Sequence, residues 1–128
     1  MKRIEPSNIY HNKPCSIVAL GCAMHTTDKE KIRDIFDDAR KGVYGSKLHD
    51  DGYLSLSGMN SLIRCNMKVI RRTDFKRGSR PSLRELCYGF SGKAIVCLLG
   101  HFVYVEDGDY YSFFANDNDQ VVAMWEVA

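Results

Sequence analysis

The period of hydrophobic and polar positions changes several times along the chain. After Pro14, "CSIVALGCAM" is small or apolar at nearly every position, the pattern of a helix buried almost all round. "TTDKEKIRDIFDDARKG" differs: Ile32, Ile35, Phe36 and Ala39 recur at i, i+3, i+4 and i+7 among charged residues, which predicts one buried face of an amphipathic helix. Thr27 and Glu30 have capping-box spacing and Gly42 supplies a C-terminal stop. "KGVYGSKLHDDGYLS", with three glycines and mixed polarity, reads as a loop.

From residue 57 the segments shorten. "SGMNSLIRCN" predicts a short helix opened by Ser57 and leading into a strand at "MKVIRR"; "PSLRELCYGF" predicts another, with Ser82 and Glu85 at capping-box spacing. Four strand-like runs finish the chain: "AIVCLL", "HFVYVE", "DYYSFF" and "QVVAMWEV". The Asp-Gly pair in "EDGD" suits a tight hairpin, and "ANDND" marks the next turn. Helices followed by such a meander predict an α+β fold, with N-terminal helices packed on a C-terminal antiparallel β-sheet. No repeat, low-complexity tract or linker interrupts residues 1–128, so one domain is expected.

Composition narrows the classes. With 128 residues, 45% hydrophobic and 27% charged, the chain is long enough for one hydrophobic core and is neither disordered nor fibrous in character. A formal net charge of +2 is too small to imply a polyanionic partner by itself. No apolar run approaches the roughly 20 residues that span a bilayer, so no membrane association is expected. "MKRIEPSNIYHNK" lacks the apolar segment of a signal peptide, which makes a reducing, cytoplasmic compartment the expectation. The five cysteines (Cys15, Cys22, Cys65, Cys87 and Cys97) are odd in number and irregularly spaced, a poor disulfide framework. Cys22 and His25 have C-x-x-H spacing, but no second pair follows at finger or ribbon spacing, and tetrahedral zinc takes four ligands. No metal or cofactor is therefore expected.

One cysteine stands apart. Cys15 follows Pro14 at the start of the first predicted helix, where backbone N–H groups and the positive end of the helix dipole favour thiolate over thiol. A thiolate nucleophile also needs a base within hydrogen-bond reach. Among the four histidines the candidate is His101, which follows Gly100 between two strongly apolar runs, where a polar ring is costly without a partner. The residue types alone leave a structural cysteine and histidine open as the alternative.

A further pattern runs through most of the chain in order. It consists of Cys15 and Ala19 at the first helix, Gly58 through Ile70, then Gly100, His101, Val103, Val105, Asp107, Gly108, Tyr111, Val121 and Trp125. In this it resembles the papain-like cysteine peptidase superfamily, and more closely the small papain-like proteins encoded by tailed bacteriophages. The resemblance implies a papain-like fold and a hydrolase acting on a peptide, isopeptide or related amide bond in the host cytoplasm. It implies Cys15 as nucleophile and His101 as base, with a side chain that orients the imidazole and donors that hold the oxyanion. The sequence departs from the pattern at the orienting position, where Ser112 follows Tyr111 in place of an Asp. Asn116 or Asp117 in the next turn are the other candidates for that role. "NKPC" also lacks the Asp expected before the cysteine, and Asn12 is the candidate oxyanion donor.

These departures keep a second expectation beside the first: a papain-like scaffold with a weakened triad that binds a host protein or a nucleic acid. "KVIRRTDFKRGSR", residues 68–80, holds six Lys or Arg against one Asp, and Phe75 within it could stack on a base. A solvated loop explains the same run. Residues 101–119 carry the opposite bias, with Glu106, Asp107, Asp109, Asp117 and Asp119; if that strip rims the site, it disfavours anionic substrates.

Overall fold

The computed structural model describes residues 1–49 and 53–128. Four helices, α1 (Cys15–Ala23), α2 (Lys29–Lys41), α3 (Leu56–Asn66) and α4 (Leu83–Gly89), accompany six strands: β1 (Arg3–Ile4), β2 (Val69–Asp74), β3 (Lys93–Leu98), β4 (His101–Glu106), β5 (Asp109–Tyr111) and β6 (Val121–Val127). A short 3-10 turn spans Asn8–Tyr10. The fold class is α+β.

The strands lie in one sheet in the order β1-β5-β4-β3-β6-β2. Only β3, β4 and β5 form the expected meander, and the sheet is mixed rather than antiparallel, because β1 pairs parallel with β5. The last strand does not extend the meander. It crosses to the other side of β3 and pairs there antiparallel, with β2 beyond it at the edge. The physical reason lies at Ser112, where the run "DYYSFF" stops being a strand: Oγ of Ser112 accepts from the N–H groups of Phe114 (3.1 Å) and Ala115 (3.0 Å). This local turn takes the chain out of the ladder and across the end of the sheet.

Alternation explains the apolar runs of β3 and β4. Ile95, Cys97, Phe102 and Tyr104 join a core shared with α1, α2 and α3, including Ile17, Leu20, Ile32, Leu62 and Trp125. Ala94, Val96, Leu98, Val103 and Val105 join a second core, with Leu83 and Cys87 of α4. Strands covered on both faces lose the polar half of their alternation, so they read as continuous hydrophobic runs. Trp125 is fully buried, and its indole N–H donates to Asn60 Oδ1 at 3.0 Å, tying β6 to α3.

Two helix starts fall elsewhere than the capping patterns predict. The N-cap of α2 is Asp28, not Thr27; its carboxylate accepts from the N–H groups of Glu30 (3.0 Å) and Lys31 (3.3 Å). A carboxylate there also meets the positive end of the helix dipole, which a hydroxyl does not match. Helix α3 is opened by Ser55, two residues before the predicted Ser57, with Oγ accepting from Gly58 N–H at 3.1 Å. The capping box of α4 forms as the sequence predicts, between Ser82 and Glu85. Gly42, at φ 82, ends α2. Of the loop expected to follow it, residues 50–52 lie outside the described residues. Among the described residues no helix is long and apolar enough to cross a membrane.

Candidate functional site

The position of Cys15 follows from packing. It is the first residue of α1, directly after Pro14, and the first hydrogen bond closing that turn runs from Val18 N–H to Pro14 O at 3.0 Å. The rest of the helix is sealed by neighbours: Ser16 through Gly21 are all buried. Gly21 allows this, because a Cβ there would come within 2.6 Å of Cζ of Tyr10. The Tyr10 ring lies against α1, and its hydroxyl donates to Thr26 O at 2.5 Å. A helix so wedged presents its N-terminal end, with Cys15, at a fixed place.

The opposing wall comes from the sheet. Gly100, at φ 74, completes the tight turn between β3 and β4, so that His101 opens β4. Cys15, Val18, His101, Phe102, Ser112 and Phe114 line one small cavity of about 30 Å³. That volume admits a water or two, and a larger group would lie across the mouth. Phe114, 82% exposed, stands at that mouth, edge-on to the His101 ring, and Phe113 beside it stacks on His11.

His101 Nε2 lies 3.1 Å from Oγ of the buried Ser112. Donor counting decides the direction of that bond. A hydroxyl has two acceptor lone pairs and one proton, and both lone pairs of Ser112 are taken by the N–H groups of Phe114 and Ala115. Its proton therefore goes to Nε2, which fits a neutral imidazole with its own proton on Nδ1. Burial acts in the same sense. It holds the pKa of His101 below the ordinary histidine value, against a weaker upward pull from the Asp119 carboxylate.

The other predicted residues sit as follows. Asn116 Oδ1 accepts from Asn118 N–H within the 112–120 turn. Asp117 is committed elsewhere: its Oδ1 accepts from the Tyr110 hydroxyl at 2.7 Å and its Oδ2 from Arg84 at 3.1 Å. Asn12 is exposed at φ 64 and is not among the residues lining the cavity, whereas its neighbour Lys13 is. Of the residues named from the sequence, Cys15, His101 and Ser112 are the ones the fold brings together at the cavity.

The acidic strip does not rim this site as a unit. Glu106 accepts from the Tyr104 hydroxyl and faces His25 at 2.9 Å, while Asp107 and Asp109 accept from the N–H groups of Gly92 and Lys2. These three carboxylates belong to the far end of the β4–β5 hairpin, about 17 Å along the strand from His101 at some 3.4 Å per residue. The basic segment is partly neutralised as well, with Arg71 paired to Glu126 and Arg72 to Asp74.

Sequence reasoning missed Cys97 and Tyr53, which adjoin the cavity-lining Phe102. Burial pushes the Cys97 thiol up to about 12; a hydrogen bond with Tyr53 opposes this, Cys15 adds to it, and Arg80 and Arg72 oppose it. Tyr53, stacked on Phe102, feels the same two cysteines. The alternation of β3 around Cys97 was the available signal, since it puts that thiol on the α1 face. Burial also raises Cys22 to about 12 and Cys87 to about 11, so neither supplies a thiolate near neutrality. Among the described residues no group of three or more His, Cys, Asp or Glu is placed to hold a metal ion, Cys22 and His25 included. Comparison of the chain with known protein families, curated proteins and solved structures finds no match.

Proposed function

We propose that this chain is a papain-like cysteine hydrolase of bacteriophage type that cleaves a peptide, isopeptide or related amide bond through an acyl-enzyme. One observation supports the reading above all others: the cysteine that opens α1 and the histidine that opens β4 line the same cavity. In this reading the His101 proton first moves from Nδ1 to Nε2, and Cys15 sulfur attacks the carbonyl carbon as its own proton passes to the freed Nδ1. The N–H groups at the start of α1 stabilise the oxyanion. Collapse of the tetrahedral intermediate expels the amine, which takes the proton from His101, and water then hydrolyses the thioester with His101 as base.

Ser112 favours a second reading of the same scaffold. A hydroxyl that donates to Nε2 stabilises neutral imidazole, and imidazolium would have to displace one of the two N–H groups from Ser112 Oγ. That opposes the thiolate–imidazolium pair, and it fits a slow enzyme or a protein that binds its target, a host protein, without turnover. Phe114 at the cavity mouth would contact the bound chain in either case.

p-Nitrophenyl acetate separates the two. The hydrolase predicts a burst of nitrophenol with acetyl found on Cys15 by mass spectrometry, followed by turnover that His101→Ala abolishes. No acetyl on Cys15, or acetylation indifferent to His101→Ala, refutes it.

A further inference from the structure

The Cys15 cavity, at about 30 Å³, is too small to select a substrate by itself. A second depression adjoins it. Phe114 lines both, and the second is a groove of about 710 Å³ whose lining includes Arg3 of β1, Arg84 of α4 and the turn residues Asn116, Asp117 and Asn118. That volume falls within the range of ligand sites, roughly 300–1,000 Å³. Phe114 stands between the two, its backbone N–H fixed on Ser112 Oγ. The ring centroids of His101 and Phe114 are 6.4 Å apart, about two residues of extended chain at some 3.3 Å each, so a chain held at Cys15 enters the groove at about its third residue.

The groove is rich in donors. A guanidinium has five N–H groups and an Asn amide two. Arg3 uses Nη1 on Phe113 O at 2.6 Å, and Arg84 uses Nη2 on Asp117 Oδ2 at 3.1 Å. Among the described residues no other acceptor meets either guanidinium, and none meets the side-chain NH2 of Asn116 or Asn118. Asp117, the one carboxylate of the lining, is taken by Arg84 and the Tyr110 hydroxyl. Asp119 adjoins the turn without lining the groove: its Oδ2 accepts from Asn116 N–H at 3.0 Å, and its charge is felt at His101. With Asp119 counted, two carboxylates balance the two arginines, so long-range attraction does not choose the ligand. The choice is local. Arg3 is exposed on the groove with a neutral carbonyl as its partner, and a carboxylate offers it a charge-assisted, two-point bond.

We propose that the substrate is a polypeptide that runs from Cys15 over Phe114 into this groove, where Arg3 receives the carboxylate of an acidic side chain about three residues from the cleaved bond. The word substrate and the count from the cleaved bond rest on the hydrolase reading. Recognition of an acidic chain by the groove does not.

Two blocked peptides, acetyl-Gly-Gly-Glu-Gly-Gly amide and its Gln counterpart, test recognition in titrations that follow the side-chain NH2 resonances of Asn116 and Asn118. The Glu peptide should shift them saturably, and binding should weaken about fivefold with the Gln peptide or in Arg3→Gln, the upper end for one ion pair open to solvent. Equal affinity for both peptides, no response to either, or affinity indifferent to Arg3→Gln overturns the proposal. Alkylation of Cys15 then tests the path. N-bromoacetyl-Gly-Glu amide and acetyl-Glu-Gly-Gly chloromethyl ketone carry the acid on opposite sides of the reacting carbon, to which sulfur bonds as the halide leaves. One of them should outpace its Gln counterpart by about fivefold, and Arg3→Gln should remove the gain. No gain in either direction overturns the path over Phe114. A Cys15 inert to every reagent while the Glu peptide still binds overturns the hydrolase reading and leaves a groove for acidic peptides.

Discussion

Replacing Ser112 with Asp should make the site a stronger thiolate generator. The buried hydroxyl of Ser112 accepts two backbone N–H groups and lies 3.1 Å from His101 Nε2. One carboxylate oxygen of Asp can keep the two N–H groups, as an Asx turn does, while the other meets the ring as an acceptor. Nε2 then carries a proton, and Nδ1 becomes the basic nitrogen. An opposite charge within about 4–6 Å raises the pKa of such a group by roughly 1–3 units. At 1.36 kcal/mol per unit this corresponds to about 1.4–4 kcal/mol in favour of imidazolium. Desolvation of the new carboxylate at a site only 3% exposed offsets part of that, so the lower end is expected. The assay is the ring-proton titration of His101 by NMR, beside the rate of Cys15 alkylation at pH 6. The His101 titration should move up by about one unit, and alkylation should accelerate by about tenfold. A ring that titrates where it does in the wild type refutes the donor count at Ser112. A raised titration without faster alkylation refutes the coupling of His101 to Cys15.

Three further outcomes follow from the fold. Burial lowers the His101 pKa below its unfolded value near 6.5, so the folded chain resists a proton that the unfolded chain accepts. Stability should therefore fall as pH drops from about 6.5 toward the folded value, and His101→Gln should lack that component in urea midpoints measured at pH 7.5 and 5. Gly21→Ala drives a methyl into the Tyr10 ring and should cost about 1–3 kcal/mol or displace α1, lowering the thermal midpoint; an unchanged midpoint contradicts the packing described. Asp28→Ala removes the acceptor for Glu30 and Lys31 N–H and should cost about 1 kcal/mol, whereas Thr27→Ala should be near neutral.

The parts of this architecture visible in the sequence are those set by local pattern. The stripe Ile32, Ile35 and Ala39, the capping box Ser82–Glu85 and the Asp107-Gly108 turn all form where periodicity and turn chemistry put them. Cys15 at the head of a helix was legible for the same reason. Strand partnership was not, because it depends on contacts distant along the chain. Nothing in the two residues Arg3 and Ile4 announces a parallel strand, and nothing in "QVVAMWEV" says that it returns to the far side of β3. Ser112 shows how the two levels meet. Its hydroxyl closes a local turn that ends β5, and the same atom sets the proton on His101. Arg80 was legible only as one charge in a basic run, because the burial of its Nε without a hydrogen-bond partner depends on packing between segments distant along the chain.

The central claim, that Cys15 and His101 act as a pair, is tested most directly by the pH dependence of Cys15 alkylation with iodoacetamide in the wild type and in His101→Ala. An ordinary cysteine ionises near 8.5, whereas one activated by a helix end and a histidine ionises between roughly 3.5 and 7.5. The account predicts labelling of Cys15 below neutral pH that His101→Ala abolishes. A simple thiol profile near 8.5, unchanged by the substitution, would contradict it.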